Sequence, residues 1–308
     1  MTFVEDYLGR YQCDTIKGFF ILLVFASHFM QYVAEAGGRA VNLFIGQCMV
    51  APFLFYSGYG VMESIKAKGV AYINDIPRRR ILTTLVNFDI AVVLFVVLSI
   101  LIGKSITAKR VLLSLVGWES VGNSNWYIFV IILCYAMAYI SEGVLKRPYV
   151  RYLLFAIALI LLPLFKPSYW YDTMLCFLVG MIYSEKKVAI ENLCKRHWPV
   201  LSTISVFATL LLLFRCPSLR GIGSNIKAIV FVVTIVLCTM RFPIRNASLQ
   251  WCGRHLFPLY IYQRLPMVTL FSLDPVGFST WRMPLYLIIS LAVTILIAMF
   301  YPKWQVKF

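Results

Sequence analysis

Apolar runs of about twenty residues follow one another almost without a break from residue 16 to residue 302, and this succession restricts the fold more than any other feature. A run of that length matches the roughly 30 Å hydrocarbon core of a bilayer at 1.5 Å rise per residue. Inside lipid, each segment must satisfy its own backbone N–H and C=O groups, which a helix does and an open strand does not. The expected fold is therefore an all-α membrane protein, a single polytopic bundle over residues 1–308. Reading the runs in order gives about ten transmembrane helices, over 16–36, 43–64, 81–103, 126–144, 150–166, 169–184, 198–214, 226–241, 248–271 and 284–302. The sequence is 61% hydrophobic and 14% charged, whereas soluble domains are roughly half apolar and a quarter charged. No stretch outside the runs is long enough for a soluble domain, so any chemistry falls to the bundle and its short loops.

The charge then orients the bundle. With the N-terminus cytoplasmic, 18 of the 29 Lys and Arg residues fall in inner segments and nine in outer ones, with Arg254 and Arg264 left inside the ninth run. By the positive-inside rule both termini are expected in the cytoplasm. A net charge of +16 would suggest nucleic acid in a soluble protein. Here it fits cationic loops on an anionic leaflet, and no nucleic-acid motif is present, so no nucleic-acid partner is expected. Ala34-Glu35-Ala36 mimics a cleavage site, but the preceding run is too long and too polar for a signal peptide, so it is read as an uncleaved helix. The eight cysteines show no C-x-x-C and no Cys/His metal spacing, so neither a disulfide framework nor a metal site is expected.

The first run, Cys13 to Phe29, carries Lys17 at its mouth and His28 deep inside. Residues eleven apart lie on one helix face, separated by about 16 Å along the axis. Asp14 is three residues before Lys17 and positioned to pair with it. An ionisable group at the depth of His28 either bonds a neighbouring helix for packing or faces a cavity as a proton carrier. Ser57-Gly58-Tyr59-Gly60 does not match a nucleophile elbow. Small residues for close helix packing are the favoured reading, with Ser57 as a possible cavity-lining group. Pro77 and the triplet Arg78, Arg79 and Arg80 are expected to open the third helix, as an interfacial anchor or as a grip for ligand phosphates. Asn87 and Asp89 follow within the membrane, on an inward polar face or, for Asp89, paired with an arginine of the ninth run. Asn125, Trp126 and Tyr127 start the fourth helix, where the aromatics form either an interfacial belt or a sugar-binding mouth. The ninth run holds Arg254, His255, Tyr260, Gln263 and Arg264 around Pro258, which is expected to kink it toward a cavity. Asn246-Ala247-Ser248 matches a glycosylation sequon by chance in a short inner loop.

The order of these pieces resembles the acyltransferase 3 family of multi-pass membrane acyltransferases that modify cell-surface glycans. Asp14, Lys17-Gly18 and His28 match its opening pattern, and the stretch FLFYSGYG from Phe53 to Gly60 matches its second helix. A pair within Arg78–Arg80, then Trp126-Tyr127, then Gly253 and Tyr260 follow in family order. The chain departs from the pattern at Lys17, usually arginine, at Thr83 or Thr84, usually basic, at Leu256, usually serine, and at Gln263, usually histidine.

The resemblance implies transfer of an acyl group, commonly acetyl, from cytoplasmic acyl-CoA to a hydroxyl of an extracytoplasmic or lipid-linked sugar. It implies acyl-CoA as co-substrate, no tightly bound cofactor, and a bacterial cytoplasmic membrane as location. In that scheme Lys17 and the arginines hold the donor's phosphates. His28, with Asp14 in the same motif, acts as general base or transient acyl acceptor, and Asn125, Trp126 and Tyr127 meet the glycan. Two other classes compete: a transporter or flippase for a lipid-linked or charged sugar, and a scaffold whose polar residues only pack helices. No feature sets the oligomeric state.

Overall fold

The computed structural model describes residues 2–41 and 45–308. It is 77% helix, and no strand occurs among the described residues. The helices, in chain order, begin with α1 (Arg10–Glu35), α2 (Ala51–Lys68), α3 (Val70–Leu101), α4 (Ala108–Leu115) and α5 (Trp126–Val144). They continue with α6 (Val150–Leu161), α7 (Leu175–Glu185), α8 (Lys187–Arg196), α9 (Trp198–Arg215) and α10 (Ile222–Thr239). The last are α11 (Ala247–Arg254), α12 (Leu256–Tyr262), α13 (Arg264–Leu273) and α14 (Met283–Phe300).

Six segments among the described residues are long and apolar enough to cross a membrane: α1, α3, α5, α9, α10 and the Met283–Lys303 segment that contains α14. These coincide with six of the ten expected spans. The other four are shorter or broken, each for a local reason. Residues 43 and 44 of the second span lie outside the described residues, and α2 ends in the charged turn containing Glu63, Lys66 and Lys68. Pro163 sits in the 3₁₀ turn Leu162–Leu164 that ends α6. α7 has eleven residues, about 16 Å of helix, half the hydrocarbon core.

The ninth run is three helices rather than one kinked helix. A proline at position i removes one ladder hydrogen bond and presses on the carbonyl of i−4. Pro258 and Pro266 therefore act at Arg254 and Tyr262, and the helix is interrupted immediately after each, at His255 and Gln263. Pro258 alone was expected to bend the segment; the second break belongs to Pro266. Asn246, matched as a sequon, caps α11 instead, its Oδ1 accepting the N–H of Leu249 at 2.9 Å.

Two helices show how such a chain faces lipid. On α9 the buried positions Ser205, Thr209 and Leu213 recur every four residues, while Ile204, Phe207, Leu211 and Phe214 are exposed. On α14, Ser290, Thr294 and Ala298 are buried while Leu285, Ile288, Leu296 and Met299 are exposed. Apart from Leu213, these inward positions are small or hydroxylated and the outward ones large and apolar, the arrangement a lipid solvent favours.

The chain forms two compact units. The first comprises residues 1–20, 44–77 and 133–254. Within it α2 and α7 cross backbone to backbone. An ideal Cβ on Gly58 would lie 2.0 Å from the Phe177 carbonyl oxygen, and one on Gly180 2.1 Å from that of Phe55. The packing reading of the Ser-Gly-Tyr-Gly stretch thus holds at Gly58, whereas Gly60 has open space around it. α1 and α11 cross in the same way, Gly18 against the Leu249 carbonyl and Gly253 against that of Asp14. Arg151 is 2% exposed and holds Glu142 at 3.2 Å and Glu185 at 2.5 Å.

The second unit comprises residues 21–43, 78–132 and 255–308. Its core is aromatic: Phe25, Phe29, Tyr32 and Val33 of α1 pack with Met267 of α13 and Phe278. Phe29 and Phe278 have ring centroids 5.2 Å apart. Asn87 of α3 fastens the C-terminal segment. Its Nδ2 donates to the carbonyls of Thr83 (2.7 Å) and Val306 (2.8 Å), and its Oδ1 accepts the Val306 N–H at 3.0 Å.

Candidate active site

In the first unit the motif at the start of α1 behaves as its spacing predicts. Lys17 Nζ lies 3.2 Å from Asp14 Oδ1, and Arg10 Nε approaches the other carboxylate oxygen at 3.8 Å. Asp14 is buried and Lys17 half-buried, with its ammonium 6.0 Å from the centre of the Tyr56 ring. Ser57 is half-buried on α2, and Arg254 is exposed at the end of α11, where a cation complements the helix dipole.

In the second unit the polar residues of α1 and of the broken ninth run converge. His28 is 9% exposed, and its ring centroid lies 6.4 Å from that of Tyr260 on α12. Tyr127 of α5 also packs against Tyr260, with ring centroids 5.1 Å apart. Gln263, at the break between α12 and α13, is fully buried and donates its Nε2 to the Tyr260 carbonyl at 3.0 Å.

Three polar atoms here are buried without a well-aligned hydrogen-bonding partner among the described residues: His28 Nδ1, the Tyr260 hydroxyl and Gln263 Oε1; the Gln263 side chain lies against the imidazole and the Tyr127 backbone against the phenol. Each such group costs about 1–3 kcal/mol. Other buried polar atoms among the described residues are in the same state, Gln47 Oε1 and Ser290 Oγ among them; what distinguishes this cluster is that it includes an imidazole packed near a phenol. A neutral imidazole with an uncommitted nitrogen can take a proton, and a phenol can donate one to a developing oxyanion.

Arg264 frames this cluster. Its Nε donates to Ser124 Oγ at 2.9 Å, one terminal nitrogen donates to Gln31 Oε1 at 2.5 Å, and its guanidinium carbon lies 5.9 Å from the centre of the Tyr32 ring. From sequence alone, Arg264 is one polar group among several in the ninth run. Its partners lie 140 and 233 residues away, and no spacing rule reaches them.

The remaining expected site residues stand as follows. Asn125 is buried and spends its amide on the carbonyls of Gly117 (2.7 Å) and Glu119 (2.9 Å), holding the loop before α5. Trp126 is half-buried with its ring 6.1 Å from that of Tyr127. Asp89, expected on an inward polar face or paired with an arginine of the ninth run, has Oδ1 buried without a partner among the described residues, and Arg264 is engaged by Ser124 and Gln31 instead.

The arginine triplet does not open a helix. α3 begins at Val70, and Pro77 lies in a π-wound turn over Ile76–Leu82. The wider turn accommodates a ring that an α-turn would press on the carbonyl of Ile73. Arg78, Arg79 and Arg80 are exposed on that turn. The helix beyond them covers residues 81–101, about 31 Å at 1.5 Å per residue.

No curated protein and no solved structure matches the chain. A family model described as an acyltransferase domain matches residues 10–301 of the 308, from the first residue of α1 to the residue following α14. The chain therefore belongs to the acyltransferase 3 family of membrane acyltransferases.

Proposed function

We propose that this membrane acyltransferase moves an acyl group, acetyl in the simplest case, from acyl-CoA to a hydroxyl of an extracytoplasmic or lipid-linked sugar. The observation that carries the reading is the buried imidazole of His28 beside the buried phenol of Tyr260, ring centroids 6.4 Å apart, in a chain of this family. His28 takes the proton of the sugar hydroxyl as its oxygen attacks the thioester carbonyl. Tyr260 donates to the oxyanion that forms. The C–S bond then breaks, and the coenzyme thiolate leaves with the proton that His28 held.

Donor phosphates are assigned to the exposed Arg78, Arg79 and Arg80, whose guanidiniums suit phosphate geometry, and, from sequence spacing, to Lys17. Acceptor contacts are assigned to Trp126 and Tyr127, with Asn125 fixing the loop that presents them. Gln263 and Asp89 are assigned to the polar interior of the second unit and Ser57 to that of the first, whereas Arg254, expected from sequence to line a cavity, lies exposed at the end of α11. The remaining assignments are ten membrane passes, some made by short or broken helices, both termini in the cytoplasm, and the bacterial cytoplasmic membrane as location. Family membership favours this enzyme over the transporter reading. Mass spectrometry of surface glycans from cells with and without the protein tests it. A mass difference of one acyl group per modified sugar is expected, and identical spectra would sink the proposal.

A further inference from the structure

The second unit contains a cavity of about 340 Å³, within the size range of small-molecule sites. Its charged lining is Lys104, Arg110 and Arg264 against a single carboxylate, Glu35. These cations are held in place by structure around them. Gly103, at φ +73°, closes α3 in a left-handed cap, with the Lys104 N–H donating to the Ser99 carbonyl at 2.8 Å. Arg110 donates its Nε to the Ser120 carbonyl at 2.7 Å. Arg264 is fixed by Ser124 and Gln31. Tyr32 and Phe271 add aromatic surface, their centroids 5.4 Å apart.

Two of the lining residues adjoin the His28–Tyr260–Gln263 cluster along the chain. Tyr32 stands one turn after His28 on the same face of α1, about 6 Å along the axis. Arg264 follows Gln263 directly in the chain. A sugar bound beside Tyr32 would lie about one helical turn along α1 from His28. An excess of two positive charges in that position is unnecessary for a neutral glycan and favourable for an acidic one.

Resting on the acyltransferase reading, we propose that this cavity is the acceptor subsite and that it selects an anionic sugar, one bearing a carboxylate or a phosphate, through Lys104 and Arg110. The test uses purified protein in neutral detergent and three probes: phenyl β-glucoside, phenyl β-glucuronide and glucose 6-phosphate. Binding is measured by thermophoresis at low and high salt, and acyl transfer to each probe is measured separately.

At least one of the two acids is expected to bind about tenfold tighter than the glucoside, with the advantage shrinking in salt. Whichever acid binds better identifies the anionic group. Lys104→Gln and Arg110→Gln are each expected to weaken binding of that acid by about three- to tenfold and the glucoside by less than twofold. Lys104→Glu is expected to abolish the preference. Binding of the glucoside as tight as that of both acids, or a preference untouched by Lys104→Glu, overturns the anionic-acceptor inference and leaves the acyltransferase reading standing. Tight binding of an acid without acyl transfer to any probe overturns the acceptor role and the underlying reading together, leaving an anion-binding cavity.

Discussion

The sharpest structural prediction compares one chemical change at two glycines. At Gly253 an ideal Cβ lies 1.8 Å from the carbonyl oxygen of Asp14, and at Gly60 it meets nothing within 4 Å. Bringing the Gly253 contact to the 3.0 Å that real Cβ atoms respect requires α1 and α11 to separate by about 1.2 Å. Opening a close-packed crossing costs about 1–3 kcal/mol. Alanine also gains about 0.5–1 kcal/mol of helix propensity at either site. Gly60→Ala should therefore stabilise the protein by roughly that gain. Gly253→Ala should destabilise it by about 1–2 kcal/mol net.

The buried thiols of Cys13, Cys48, Cys134, Cys176 and Cys252 make the readout simple. A thiol-reactive fluorophore reports their exposure as the detergent-solubilised protein is heated. The melting midpoint of Gly60→Ala should lie at or above wild type, and that of Gly253→Ala clearly below. A Gly253→Ala midpoint equal to or above that of Gly60→Ala would refute the backbone-on-backbone crossing.

Other perturbations follow from single sites. Arg151→Met leaves Glu142 and Glu185 without their shared cation and should cost about 3–5 kcal/mol, seen as a large drop in melting midpoint; a shift near zero would argue against the buried triad. Asn87→Leu should free the C-terminal segment, raising hydrogen exchange over residues 304–308 with little change in α9. The Asp274 carboxyl accepts hydrogen bonds from the Tyr286 hydroxyl (2.6 Å) and Arg282 (2.9 Å), which hold its pKa below its ordinary 3.8. Its folded pKa being depressed, the stabilisation is fully present above 3.8 and lost as pH falls through the lowered value. The melting difference between wild type and Asp274→Asn should be constant from pH 7 to 5 and shrink only below pH 4.

Much of this was readable from the chain, for physical reasons that also set the limits. His28 stood out because an ionisable side chain in an apolar run has no inexpensive explanation, and Asp14 and Lys17 could be paired because three residues make nearly one helical turn. The six long spans were legible for the same reason that lipid demands uninterrupted apolar helices. Breaks were harder. A π-turn absorbs Pro77 so that α3 continues through a position where proline suggested a beginning, whereas Pro266 adds a second break to a run in which only Pro258 was expected to act. The ties of Arg264 to Gln31 and Ser124, and of Arg151 to Glu185, depend on which helices meet. Local periodicity does not encode that. Asn125 looked like a ligand contact by composition, and only its two carbonyl partners disclose a loop strut.

The central claim is that the buried imidazole of His28 performs proton transfer during acyl transfer. The most direct measurement is the rate at which purified protein moves radiolabelled acetyl from acetyl-CoA to a glycan acceptor, compared between wild type and His28→Gln. A fold check by the thiol-exposure midpoint accompanies each protein. The account predicts a folded variant whose rate falls by about 10²–10⁴. A folded His28→Gln protein that transfers acetyl within a factor of about two of wild type would contradict it.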